Sequence, residues 1–170
     1  LFIQQSRVLE FLHGYGVNKF RFADIKQIRK SVSFLSDSWE EQVSQNYINN
    51  LIKMYKVANA YNSKVMIILQ PMLQTKKSFS EMELNLLGDK NFQDYVERMY
   101  KRISNKFSKL SENYKSDHNL KFLDIHKIFL SDTNTIYKDI IHINDYGRQI
   151  IADSIYNSMQ SLLIDDFQLK

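Results

Sequence analysis

Lys64-Val65-Met66-Ile67-Ile68-Leu69-Gln70-Pro71 decides the fold. A short run of apolar, mostly branched side chains stands between Asn62-Ser63 and Pro71, both turn signals. Such a run reads as a strand buried on both faces, the kind found in parallel sheets. Pro71, the only proline in the chain, has no N–H to give to a ladder and biases Gln70 towards extended backbone. The strand therefore closes at Leu69, and Gln70 stands at its carboxyl end.

On both sides of this strand the apolar period changes to that of a helix. Upstream, Ser38-Trp39-Glu40-Glu41 has the form of a capping box with Ser38 as N-cap. Val43, Tyr47, Leu51, Met54, Ala58 and Tyr61 follow at steps of three and four and predict one buried face of a long helix. Downstream, residues 72–79 read as a polar loop. Ser78 and Ser80 each precede a glutamate by three positions (Glu81, Glu83), which marks a helix start, with Gly88 as its end. Phe92, Val96, Met99, Ile103, Phe107 and Leu110 predict a second long helix. Leu120 to Asp124 reads as the next strand, Ile125 to Leu130 as a helical turn and Ser131 to Thr135 as a loop. Asn144 caps a final helix whose expected buried face is Ile151, Ile155, Met159 and Leu162.

Strands alternating with helices imply an α/β fold, a parallel sheet with helices on both faces joined by right-handed crossovers. In such sheets the working site lies outside the carboxyl ends of the strands. Two strands are few for a doubly wound sheet, so the expectation is that further strands precede Leu1 and that residues 1–170 form the C-terminal portion of one domain. Residues 1–37 read as a poorly defined helical lead-in. Val8, Leu9, Phe11 and Leu12 predict one short helix ending near Gly14 or Gly16, and Ile25, Ile28, Val32 and Leu35 a second.

Composition narrows the function classes. Apolar residues at 44% fill a core, and charged residues at 25% do not mark a disordered chain. The absence of cysteine removes disulfides and thiolate metal sites and leaves the compartment undetermined. The longest apolar run, Val65 to Leu69, is too short to span a membrane. The net charge is +4, with basic residues crowded at Lys101, Arg102, Lys106, Lys109, Lys115 and Lys121. They interleave with an apolar stripe and read as the solvated side of an amphipathic helix rather than a phosphate-binding face. No nucleic-acid partner is expected. No His, Asp or Glu set has metal-ligand spacing, so neither metal nor cofactor is expected.

The chemistry concentrates in Tyr137-Lys138-Asp139-Ile140-Ile141-His142-Ile143-Asn144-Asp145-Tyr146-Gly147. On a loop entering a helix, an acid three residues before a histidine can accept the proton of one ring nitrogen and leave the other free. A histidine held so is a general base near neutral pH and the back half of a Ser-His-Asp triad. The plain alternative is that Asp139 caps a turn and His142 sits on the surface. Gln70, at the same sheet edge, either contacts substrate or satisfies loop backbone. Asp124 and His126 form a second acid–histidine pair at i and i+2. The two are not expected to face each other, and Asp124 is expected to cap the turn at Ile125. His13 and His118 have no acidic partner at useful spacing. Gly16-Val17-Asn18 reads as a helix-terminating loop rather than an oxyanion site.

In this order of elements, Asp139-Ile140-Ile141-His142-Ile143-Asn144-Asp145-Tyr146-Gly147 resembles the Asp-x-x-His block of SGNH (GDSL-type) hydrolases. Val65 to Leu73 resembles the strand after the third block in one bacterial subgroup, and Phe122-Leu123-Asp124-Ile125 fits the strand before the last block. The resemblance covers roughly Ser38 to Leu163. It implies a three-layer α/β/α, flavodoxin-like fold, incomplete at its N-terminus, and a serine esterase in which His142 is the base and Asp139 its orienting acid. The substrate would be a small-molecule or carbohydrate ester. The family's Gly-Asp-Ser block, its oxyanion glycine and its Gly-x-Asn-Asp block are not in this sequence, and Ser6 lacks the preceding Gly-Asp. The resemblance thus implies a nucleophile upstream of Leu1 and an inactive segment on its own. A carbohydrate O-acetyltransferase on the same residues and a non-catalytic SGNH-like binding domain are the alternatives.

Overall fold

In the computed structural model, which describes residues 25–167, Val65–Leu69 (β1) and Leu120–Asp124 (β2) pair in parallel, with Val65 opposite Leu120 and Leu69 opposite Asp124. The helices in chain order are α1 (Ile25–Ser31), α2 (Asp37–Ala60), α3 (Glu81–Leu84), α4 (Lys90–Asn113) and α5 (Asp145–Phe167). A single 3₁₀ turn, Leu73–Thr75, follows β1. The arrangement is mixed α/β with a two-stranded parallel sheet among the described residues. The readings at Ser6, Val8 to Leu12, His13 and Gly14 to Asn18 lie outside the described residues.

The chain divides into two compact units at Trp39–Glu40. In the first, α1 ends at Ser31, short of Val32 and Leu35, and Ile28, Val32 and Leu35 are all exposed, so the predicted stripe is not a buried face there. Phe34 packs edge-on against Trp39 at 4.7 Å and lies under the Arg29 guanidinium. The cap of α2 is also two residues earlier than its sequence implies. Ser36 Oγ accepts the Trp39 N–H at 3.2 Å, while Ser38, the expected N-cap, lies inside the helix. Ser36 stands three residues before Trp39, which is the N-cap to N3 spacing.

In the second unit, α2 and α4 cover β1 and β2 through Ile48, Tyr55, Ile67, Leu69, Phe107, Leu110 and Leu120. The α4 stripe is buried as predicted at Val96, Met99, Phe107 and Leu110. Phe107 meets Phe122 edge-on with centroids 5.2 Å apart. Met54 on α2 and Tyr61 just past its end are exposed, and the buried face runs through Glu40, Ser44, Ile48 and Tyr55. An apolar count misses that face because two of its members are polar. Ser44 Oγ donates to the Glu41 carbonyl, and Glu40 receives Arg98 at 2.8 Å and Arg102 at 3.5 Å. Arg102 and Lys106 are thus not a solvated side of α4, since Lys106 also reaches Glu41 at 2.6 Å. A carboxylate closed off from water is retained when charged hydrogen bonds satisfy it.

Three smaller corrections follow from packing. β1 is not buried on both faces: Ile67 and Leu69 are, while Val65, Met66 and Ile68 are half-buried. The helix capped at Ser80 ends at Leu84, well before Gly88, and Gly88 takes the left-handed φ of 76° just ahead of the α4 N-cap, Asp89. On α5, Met159 is exposed while Leu162 is buried. The element that positions the candidate site is a second cluster of Leu73, Phe129, Ile136 and Tyr137, against which Ile143, Ile150 and Ile151 pack.

Candidate active site

The loop between β2 and α5 is fixed before any polar chemistry enters. Ile136 and Tyr137 are buried apolar anchors, and Tyr137 forms an antiparallel bridge to Ile143. Lys138 N–H donates to the His142 carbonyl at 2.8 Å, and Leu73 N–H to the Ile140 carbonyl at 3.1 Å. The residues between them form a tight excursion beside the carboxyl end of β1. Its exit is the start of α5, where Asn144 Oδ1 accepts the Gly147 N–H at 2.9 Å and Asn144 Nδ2 donates to the Thr135 carbonyl. A Cβ on Gly147 would lie 2.7 Å from Ile136 Cγ2. The glycine permits a close approach of α5 to the loop anchor Ile136.

Asp139 caps the turn and also meets the His142 ring. Its Oδ1 accepts the backbone N–H groups of Ile141 at 2.9 Å and His142 at 2.8 Å, which caps the turn. Its Oδ2 lies 2.6 Å from His142 Nδ1. The N–H groups of His142 and Ile141, and then the His142 ring, hold the Asp139 carboxyl down at about 2. The acid is therefore ionised near neutral pH and can fix the Nδ1–H tautomer of His142. His142 Nε2 then has no hydrogen-bond partner among the described residues. The ring is well exposed, at 72% of its side-chain area. It borders a cavity of about 470 Å³ lined also by Gln70, Pro71, Lys138, Ile143 and Arg148. Gln70, Asp139 and His142 thus converge at one end of β1. The Gln70 side of this wall is braced from α4, whose Tyr100 hydroxyl donates to the Gln70 carbonyl at 3.2 Å.

Two features of this corner were not read from the sequence. Arg148, on the first turn of α5, donates to the Ile143 carbonyl and pairs with Asp145 at the edge of the His142 cavity. Glu83, taken only as a capping residue, is wholly buried and does more than close the capping box at Ser80. Its Oε1 accepts the backbone N–H groups of Ile136 at 2.8 Å and Tyr137 at 3.0 Å, and its Oε2 receives Lys76 Nζ at 2.7 Å. Lys76 Nζ also donates to the Asn134 carbonyl. Burial opposes the charge on Glu83, but Lys76 and the N–H groups of Ile136, Ser80 and Tyr137 outweigh it and hold the carboxyl below its usual range. The only sequence signal was an acid and a lysine flanking a short capping box.

The second pair departs from its expectation. Asp124 does cap the turn, its Oδ1 accepting the His126 N–H at 3.1 Å. The same oxygen lies 2.5 Å from His126 Nδ1, so the two side chains meet. Ile125 N–H donates to the Leu69 carbonyl as the last rung of the parallel ladder, and the turn that carries His126 begins directly after it. Ser104 Oγ donates to the other Asp124 oxygen at 2.8 Å. His118 is exposed, as its lack of a partner implied. Among the described residues no group of three or more His, Cys, Asp or Glu side chains could hold a metal. No described helix is long and apolar enough to cross a membrane. Comparison of the chain with protein-family models, curated proteins and solved structures gives no match.

Proposed function

We propose that the chain carries the acid–base half of an SGNH-type serine ester hydrolase, its parallel strand pair belonging to a larger three-layer α/β/α sheet. The observation that carries the reading is the contact of Asp139 Oδ2 with His142 Nδ1 at 2.6 Å, at the carboxyl end of β1 and beside Gln70. In this reading a serine from a segment outside residues 1–170 attacks the ester carbonyl, and His142 Nε2 takes the hydroxyl proton. Asp139 stabilises the imidazolium so formed. Collapse of the tetrahedral intermediate expels the alcohol, which takes the proton back from His142. Water then attacks the acyl-enzyme with His142 again as base, releasing the carboxylic acid and the free serine. The substrate is a small-molecule or carbohydrate ester that reaches the cavity lined by Gln70 and His142.

The test is hydrolysis of p-nitrophenyl acetate by residues 1–170 joined to the segment encoded before Leu1. His142→Ala is expected to lower kcat by about a thousandfold or more, as removal of a triad base does elsewhere. Undiminished turnover in that variant, or no hydrolysis by the joined protein, overturns the assignment.

A further inference from the structure

A cavity of about 570 Å³ lies on another side of the same strand ends, between the Gln74–Lys77 segment, the middle of α4 and the turn after β2. That volume is in the range of small-molecule sites. His126 stands in its wall with only 10% of its side chain exposed. The ring is fixed twice: Asp124 holds Nδ1 at 2.5 Å, and Tyr100 stacks on it at 5.7 Å with the planes 28° apart. Its Nε2 has no hydrogen-bond partner among the described residues. A ring so firmly oriented, with its remaining nitrogen unmet at a cavity wall, is the arrangement of a ligand contact.

The charge around it is one-sided. Lys77, Lys101 and Lys127 line the cavity, are exposed, and have no ion-pair partner among the described residues. The fourth lysine, Lys76, is consumed by Glu83, and the one carboxylate in the lining is Glu97. Asp124 sits behind His126 and is engaged by Ser104 and by His126 itself. Three ammonium groups around one oriented imidazole suit a compact group of several anionic oxygens. The cavity is much larger than such a group alone needs, since a water occupies about 30 Å³ of liquid.

The geometry points to a second ligand site, for a small organic phosphate, with Lys77, Lys101 and Lys127 on the phosphoryl oxygens and His126 as the inner contact. It does not depend on the esterase reading, because none of these residues borders the His142 cavity. The probe is glucose 6-phosphate, with glucose and inorganic phosphate as separate arms, followed by NMR of the His126 ring and by calorimetry. Glucose 6-phosphate is expected to shift the His126 resonances and to bind more tightly than either other arm. Lys101→Glu, an exposed change with no packing role, is expected to raise Kd by at least about tenfold. His126→Ala is expected to do the same, and His142→Ala to leave Kd unchanged. No shift at His126, or a Kd unmoved by both Lys101→Glu and Lys127→Glu, overturns the site. Inorganic phosphate binding as tightly as glucose 6-phosphate overturns the organic ligand.

Discussion

Glu83 accepts the backbone N–H of Ile136 at 2.8 Å across 53 positions of sequence. Together with Lys76 it ties the segment after β1 to the loop that carries Asp139 and His142. Breaking one partner of a buried pair leaves the other charge stranded, which costs more than the pair contributes. Glu83→Gln or Lys76→Met is expected to lower stability by about 3–5 kcal/mol in urea unfolding. A loss under about 1 kcal/mol would mean that water reaches the pair.

The same carboxylate makes stability depend on acid. Its folded-state value lies below the ordinary one, so its contribution is present above the ordinary carboxylate range, near about 4.3, and disappears as pH falls through the folded value. The urea midpoint of the native chain should therefore fall more steeply on acidification than that of Glu83→Gln. Parallel pH curves would remove Glu83 as a cause.

Gly147 offers a packing test at the entry to α5. An added Cβ would meet the Cγ2 of Ile136 at 2.7 Å, and Ile136 is wholly buried in the cluster with Leu73, Phe129 and Tyr137. Gly147→Ala is expected to destabilise by about 1–3 kcal/mol, the usual cost of overpacking. Ile136→Ala should relieve part of this, giving a non-additive double-mutant cycle. Strict additivity would show that the clash is relaxed elsewhere.

How far the sequence could be read follows from what each signal measures. β2 and the α4 stripe were legible because strand run and helical period both report apolar burial, and there the buried residues are apolar. The α2 face was misread because burial at Glu40 and Ser44 is sustained by Arg98 and by backbone bonds that no apolar pattern records. Asp139 and His142 were visible as a pair because their contact is local, three residues apart. Glu83 was not, because its partners Ile136 and Tyr137 come near only after the chain has folded. The Asp124–His126 contact was missed for a different reason. The period-two rule puts residues i and i+2 on one face, so it allowed this contact, which forms where the strand stops at Asp124.

The last prediction separates the two tasks of Asp139. Its carboxyl is held at about 2, with the backbone N–H groups of His142 and Ile141 as the leading causes and the His142 ring after them. In His142→Ala the main-chain donors remain and only the ring is lost. The Asp139 titration, followed by carboxyl carbon NMR, should thus stay well below the ordinary value of about 3.9 in that variant, rising only part of the way. A folded-state value below the ordinary one means that any stability linked to this group is present above about 4 and lost as pH falls through about 2. A return to the ordinary value in His142→Ala would show that the ring alone sets the charge and that the turn does not hold the acid in place. Persistence of the depression would show that the acid is fixed and ionised before the imidazole arrives, which is what a carboxylate that orients a base requires.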